Sequence, residues 1–534
     1  MAGFWSMVGL VIKSLITGNE TVENDEDTAE DRAAEDTSCV YAIARFSAAE
    51  TAVTGGARPS DRFAETIAAS LTKIPESRAI RIDQYFSPNP DAIDPFQAMR
   101  EAQLGVLNVG KRVDADAIFW GQQDPATGDL DVHLVSEPLV SSLYDLMLPM
   151  TYVFKQPDHP DVAEALRILL AAALLLQSRG GEQRLLHISR LSSCLENFQD
   201  RINQGDKLTA VGSGVAIAYA FGVFILTETG DRSYCASALK VLEPQIRAIL
   251  TDAGDAPTKE VAIQRKASAG LLGEAKQHKE EVAKEAEVRA EDLIARISDF
   301  SKINAPSTAV LAMYGGLVNW SLIGNLKARS GAVATGIWQL LERRFEQSVG
   351  SPVACALAIC KLGEAMVASG KDAEDARMVD EAGAQYRRAL GMINNRTHAP
   401  LYSLTAYGLA ESIVSSAAIK DVSIPDTQVV PVFQAALKVC ARRDHPYIWG
   451  RIMFALATVQ LTNGGLHKDM ELLTSARRGF SQAYEAFVDA GAKGAARAAS
   501  GGYTRSENAL SQLGHRKAIM DATGGDDAVK APAS

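Results

Sequence analysis

The sequence predicts a small α/β domain followed by an all-α helical-repeat solenoid. Its clearest feature is a 47-residue spacing in the C-terminal third, where Leu362, Leu409 and Leu456 are each 47 positions apart. A fixed period of roughly 20 to 50 residues is typical of stacked units that cannot bury their apolar faces alone. Strand-like runs lie within residues 39–155, and the chain beyond them has helical periodicity.

The composition indicates a folded, helix-rich chain without a basic face. Of its 534 residues 47% are hydrophobic and 6% aromatic, and the net charge is −11. Residues 19–38 hold nine acidic residues and one arginine, so the remainder is nearly neutral. Phosphate binding needs clustered Lys and Arg, so we expect no nucleic-acid partner. The six scattered cysteines form no CxxC pair, which indicates free thiols in a reducing compartment.

The N-terminal segment, residues 1–18, predicts an amphipathic helix with Phe4, Val8, Ile12 and Leu15 on one face. Two interpretations stay open: an anchor for a membrane surface or a partner, and a helix that caps the protein's own core. Residues 19–38 predict an acidic flexible linker. We therefore expect a cytoplasmic protein, with attachment to the inner face of the cytoplasmic membrane as an alternative.

Residues 39–155 predict the order βαβαββ. The strands follow from short β-branched and aromatic runs, and the helices from apolar residues at helical spacing. The expected strands are 40–46, 79–86, 117–122 and 130–135, and the expected helices are 61–74 and 95–113.

Residues Cys39 to Leu148 resemble the TolB-like N-terminal domain, a small α/β module that in bacteria often precedes tetratricopeptide repeats. The residues that carry the resemblance are Arg45-Phe46, the segment from Arg62 to Ile67, and the segment from Val113 to Gly121. Members of that group share no common chemistry. The resemblance implies an accessory or assembly role.

Two helical regions follow the α/β domain. Residues 160–300 predict an irregular helical-repeat region with helices at 162–177, 184–198, 210–226 and 234–250, and a charge-dense helix at 276–300. Residues 301–515 predict the regular repeats, and residues 516–534 a disordered tail.

The regular units resemble tetratricopeptide repeats. One unit has Leu362-Gly363, Gly370, Ala382, Tyr386 and Ala389, and another has Leu456-Ala457, Gly464, Ala476, Phe480 and Ala483. A weaker middle unit keeps Leu409-Ala410, Phe433 and Ala436. In this pattern small residues let the two helices of a hairpin approach, and the aromatic residue fills the groove between hairpins. Pro352, Pro400 and Pro446 mark the starts of the first helices.

The 47-residue period exceeds the usual tetratricopeptide period of about 34 residues. The extra positions fall partly between the small residues of the two helices in a unit. We therefore expect longer connections within the hairpins and loops that protrude along one edge.

The motifs of common enzymes are missing from the sequence. It has no Walker P-loop, HExxH, GxSxG or strand-linked GxGxxG, and its histidines form no metal-binding pair. The segment Val211 to Gly214 is interpreted as a helix start, His445 as a helix-capping residue, and His133 and Trp120 as packing residues. We expect no catalytic residue, cofactor or metal.

The inner faces of the first helices are the expected partner-binding surface, since they line the concave side of a solenoid. The repeat register places five residues there: Glu364, Tyr407, Glu411, Arg451 and Thr458. The predicted function is that of a non-enzymatic adaptor or scaffold for protein partners. Three alternatives stay open: these residues only pack or solvate the array, the α/β domain senses a small ligand, or a cryptic hydrolase or transferase assembles across domains.

Overall fold

A computed structural model shows a mostly helical chain with a small mixed sheet near its N-terminus. It describes residues 39–46, positions between 64 and 71, 77–253 except 90, 125, 142 and 179, positions 294 and 297, and 303–322, 329–347 and 352–523. The predicted N-terminal helix 1–18, the acidic linker 19–38 and nearly all of the charge-dense helix 276–300 lie outside the described residues.

The N-terminal domain is built on one five-stranded sheet. The strands are β1 (Cys39–Arg45), β2 (Ser77–Tyr85), β3 (Ala117–Gln123), β4 (Leu130–Val135) and β5 (Tyr152–Phe154). They lie in the order β2-β1-β3-β4-β5. β1 pairs in parallel with β2 and β3, whereas β3-β4 and β4-β5 are antiparallel. Helix α1 (Pro95–Arg112) connects β2 to β3, and the described positions between 64 and 71 are helical.

The order βαβαββ is thereby confirmed, with β5 as an addition. Parallel strands need a crossover connection, which the helical segments between β1, β2 and β3 provide. β5 has only three residues, fewer than the alternation of a strand needs to be recognised in sequence.

The rest of the described chain is helical. Its helices are α2 (Pro160–Gln177), α3 (Gly181–Asn203), α4 (Gly214–Thr227), α5 (Cys235–Ala253), α6 (Ala305–Leu322), α7 (Arg329–Glu346), α8 (Pro352–Asp372), α9 (Ala376–Met392), α10 (Ala399–Ile419), α11 (Asp426–Val439), α12 (Pro446–His467), α13 (Met470–Asp489) and α14 (Lys493–Thr523). α14 runs to Thr523, into the range predicted as tail. α8 is long and apolar enough to span a membrane, but 72% of its apolar window is buried inside the fold.

The segment between β4 and β5 joins the sheet to the helices. It forms two short 3₁₀ turns, Pro138–Val140 against α2 and Asp145–Met147 against α6 and α8. The Asp145 carboxylate is fully buried, and one of its oxygens lies 2.8 Å from the Arg100 Nε atom on α1. Sheet and helices therefore share one hydrophobic core.

The turns inside the three C-terminal hairpins repeat in backbone conformation. Glu374, Asp421 and Lys468, each 47 positions apart, have left-handed φ angles of 52°, 52° and 57°. Asp375 and Asp469 then cap α9 and α13 by accepting hydrogen bonds from first-turn amides. The prediction of longer connections was wrong for two hairpins, since only three residues separate α8 from α9 and two separate α12 from α13; six residues separate α10 from α11. The extra residues lengthen the helices instead.

The aromatic residues of two units, Tyr386 and Phe480, pack against glycines of neighbouring helices. A Cβ atom on Gly363 would lie 2.7 Å from the ring of Tyr386, and one on Gly408 would overlap the other side of that ring. Tyr386, Phe433 and Phe480 are all buried. Tyr386 therefore lies against both its own hairpin and the next, as the sequence predicts for the aromatic position.

The helical region also contacts itself across a long stretch of sequence. The Arg184 Nε atom donates a hydrogen bond to the Ala490 carbonyl, at 2.9 Å and 306 positions apart. A Cβ atom on Gly491 would meet Ile188 on α3. In an open solenoid each unit contacts only its neighbours. Here the start of α3 closes against the end of α13.

Two adjacent glycines of α14 test the close approach. A Cβ atom on Gly502 would lie 2.5 Å from Phe480 ring carbons, whereas one on Gly501 would meet nothing within 4 Å. We expect Gly502→Ala to lower the free energy of unfolding by about 1 to 3 kcal/mol through overpacking. Gly501→Ala should raise it by roughly 0.5 to 1 kcal/mol, because alanine favours helix. Chemical denaturation of both variants measures the difference; equal effects of the two changes would contradict the packing assignment.

His133 is a packing residue of the sheet, as the sequence predicts. Its ring stacks on Trp120 at 4.3 Å between centroids, and its Nδ1 atom lies 3.2 Å from the Met150 carbonyl oxygen. Burial lowers the pKa of His133 from 6.5 to about 4, although the contact with Met150 opposes this shift.

The pKa of His133 predicts a pH dependence of stability. Above pH 6.5 the ring is neutral in both folded and unfolded chains and costs nothing. Between pH 6.5 and about 4 only the unfolded chain takes up the proton, so stability falls as the pH falls. We expect His133→Phe, which keeps a ring on Trp120, to remove up to about 3 kcal/mol of this loss. The measurement is the free energy of unfolding at pH 7 and pH 4, with exposed His467→Phe as control; parallel curves would refute it.

Candidate functional site

Four of the five predicted partner-binding residues come together between helices of the helical region. Glu364 projects from α8, Tyr407 and Glu411 from α10, and Arg451 from α12. Burial alone would lower the pKa of Arg451, and the charges of Glu364 and Glu411 oppose that effect. The Tyr407 ring lies against the same guanidinium. For the fifth, Thr458, the contact shown is within its own helix: its hydroxyl donates to the Phe454 carbonyl oxygen at 2.9 Å.

Arg451 is the centre of this cluster. Its guanidinium carbon lies 4.9 Å from the ring centroid of Tyr407, 5.6 Å from that of Trp320 and 6.0 Å from that of Tyr447. Cation–π contacts of this kind attract the guanidinium to the ring faces. Three helices, α6, α10 and α12, thus supply the aromatic surroundings of a single charge.

Two ion pairs flank Arg451. The Lys361 ammonium lies 2.9 Å from a Glu364 oxygen on α8, and the Lys371 ammonium lies 3.3 Å from a Glu411 oxygen on α10. The four side chains are 15 to 29% exposed, so they are mostly buried but still in contact with water. Asn319 on α6 adds a hydrogen bond to the Lys361 carbonyl oxygen at 2.9 Å.

Other members of the cluster were not predicted. They are Glu228 and Arg232 after α4, Asn319 and Trp320 on α6, Lys361 and Lys371 on α8, and Tyr447 on α12. The Arg232 guanidinium carbon lies 4.9 Å from the Trp320 ring centroid. Glu228 and Arg232 lie far from the 47-residue units, so the repeat register could not place them. Glu228 and Arg232 lie at the cluster because α4 and α5 pack against α6.

Burial and charge compete in setting the pKa values of the cluster. Burial raises the pKa of Glu228 despite the opposing charges of Lys361 and Arg451. Burial alone would also raise the pKa of Glu411, but Lys371 and Arg451 outweigh it and hold that pKa below its ordinary value. For Lys361 burial acts in the opposite sense, and the charges of Glu364 and Glu228 raise its pKa. The site is therefore a charged network of mixed sign.

The remaining sequence interpretations concern single residues. His445 occupies the N-cap position of α12. A Cβ atom on Gly214, the first residue of α4, would lie 2.8 Å from the Val153 carbonyl oxygen of β5, so Gly214 serves close packing at a helix start. In the part of the chain that the structure describes, no group of three or more His, Cys, Asp or Glu residues is arranged to hold a metal.

Comparisons with protein-family models, with curated proteins and with solved structures found no match to this chain. The resemblances to tetratricopeptide repeats and to the TolB-like domain therefore stay predictions.

The ion pair of Lys361 tests the cost of disturbing the cluster. Lys361→Met leaves Glu364 and Glu228 without their nearest cation, and a carboxylate stranded in a sheltered position is costly. We expect the free energy of unfolding to fall by about 1 to 3 kcal/mol.

Lys420→Met is the matched control. It breaks the pair of Lys420 with Asp380, whose side chains are 47% and 52% exposed. We expect a change within about 0.5 kcal/mol. Equal losses in the two variants would show that the inner position of Lys361 gives its pair no special weight.

Proposed function

We propose that this protein is a non-enzymatic adaptor or scaffold, which binds a segment of a partner protein on the inner face of a tetratricopeptide-like helical array. The observation that carries the proposal is the cluster of Glu364, Tyr407, Glu411 and Arg451 across three successive inner helices. These residues are separated in sequence and were selected by repeat register alone. Their convergence supports a shared surface.

The chemistry of the cluster suits protein recognition. Arg, Tyr and Trp are enriched at the energetic centres of protein interfaces. The cluster contains all three residue types: Arg232, Arg451, Tyr407, Tyr447 and Trp320. The flanking ion pairs supply polar groups that set orientation.

The repeated backbone supports the solenoid part of the proposal. Left-handed turns recur at Glu374, Asp421 and Lys468, and the aromatic residue recurs at Tyr386, Phe433 and Phe480. Successive hairpins then present equivalent inner helices. Under this proposal the α/β domain serves as an accessory module that is anchored to the array through the segment between β4 and β5.

The experiment is quantitative affinity purification from native cells, followed by binding measurements with each enriched partner in purified form. The inner-face variant carries Tyr407→Phe and Arg451→Gln, which remove a hydroxyl and a charge while keeping most of the volume. The control variant carries Tyr484→Phe and Arg443→Gln, the same chemical changes at exposed positions. Circular dichroism and thermal unfolding verify that both fold.

We expect a partner that binds the wild-type protein and the control variant and loses at least about tenfold in affinity for the inner-face variant. The physical reason is the loss of a central arginine from an aromatic surround. A partner that binds all three proteins equally would place the interaction elsewhere and would contradict the proposal.

A further inference from the structure

Two guanidinium groups meet at one indole ring in the cluster. The guanidinium carbon of Arg232 lies 4.9 Å from the Trp320 ring centroid, and that of Arg451 lies 5.6 Å from it. They come from distant parts of the chain, one after α4 and one on α12. Two like charges at a single ring repel each other unless an anion lies between them.

The donors of Arg232 are not all used by the protein. Its Nε and Nη1 atoms are buried and have no hydrogen-bond acceptor within the described residues. Buried donors without acceptors are costly and rare in folded proteins. Burial lowers the pKa of Arg232, and the charge of Arg451 adds to that effect while Tyr447 opposes it. The surroundings of Arg232 therefore disfavour its positive charge.

The carboxylates of the cluster do not balance its cations. Glu364 and Glu411 are engaged by Lys361 and Lys371. Glu228 is the third carboxylate. Lys361 and Arg451 act on it, and it also accepts a hydrogen bond from the Trp320 side chain. The cations are Arg232, Lys361, Lys371 and Arg451, and the carboxylates are Glu228, Glu364 and Glu411. Among these seven side chains the cations outnumber the carboxylates by one.

We propose that Arg232 and Arg451 form a binding site for a carboxylate group, received against the Trp320 ring. A single excess charge matches a monoanion, and guanidinium groups pair with the two oxygens of a carboxylate in a planar fork. The inference rests on the proposed function and gives it a chemical class of ligand: a partner segment with an acidic side chain. A free small carboxylate offers the same group, so the test includes both sources.

The test uses the full chain and isothermal titration with four probes. They are a blocked hexapeptide with two central glutamates, the same peptide with glutamines, sodium glutamate, and inorganic phosphate. We expect the glutamate peptide to bind and the glutamine peptide not to bind. Trp320 lies beside the site, so its fluorescence should change in the same titration. Binding of free glutamate as tight as that of the peptide would support the site and assign it to small carboxylates.

Three variants locate the binding. Arg232→Gln should weaken the glutamate peptide at least about tenfold, because a charge-paired fork is lost. Arg232→Lys keeps the charge without the fork and should weaken it less. Arg443→Gln, at an exposed arginine outside the cluster, should bind as the wild type does.

Three results would overturn the proposal: no carboxylate probe binds the folded wild-type protein, phosphate binds while the glutamate peptide does not, or Arg232→Gln binds the peptide unchanged. Failure here is separable from failure of the adaptor function. A partner whose binding depends on Tyr407 and Arg451 but not on Arg232 would leave the adaptor function standing and remove the carboxylate site alone.

Discussion

The close approach of helices over missing side chains is the constraint on which the rest of the helical region depends. The ring of Tyr386 fits between Gly363 and Gly408 because neither glycine has a Cβ atom to hold it off. Those two contacts set the spacing of α8, α9 and α10. With that spacing fixed, side chains on the inner faces of α8, α10 and α12 come within reach of one another. The charged cluster therefore depends on the glycine contacts of Tyr386, which lies next to it.

The cluster itself is a poor way to gain stability. Taking charges out of water costs more than most ion pairs return, and apolar residues of similar size commonly stabilise better. Four charged side chains of the cluster are nevertheless largely shielded from water: Lys361, Glu364, Lys371 and Glu411. Arg451 lies among three aromatic rings. Such a costly arrangement is the kind of local conflict with stability that is expected at functional sites, and it is the basis of the proposed function.

Much of this structure follows from local sequence patterns. The strands and their order along the chain follow from short β-branched and aromatic runs. The convergence of Glu364, Tyr407, Glu411 and Arg451 follows from one period. The hairpin turns were mispredicted because they lack the usual sequence signal. A left-handed residue at a helix end is ordinarily glycine, but here the positions hold Glu374, Asp421 and Lys468. Arg232 and Trp320 were missed for a different reason: their place in the cluster depends on how α4, α5 and α6 pack, which no local pattern encodes.

The contact between Arg184 and Ala490 has a consequence for synthesis of the chain. The two residues are 306 positions apart, so at the usual rate of about 5 to 20 residues per second roughly 15 to 60 seconds pass between their translation. During that interval α3 has emerged without the surface that covers its start. Leu185 and Leu186 stay partly exposed even in the finished fold. The start of α3, with Leu185 and Leu186, therefore remains uncovered until the end of α13 has been made.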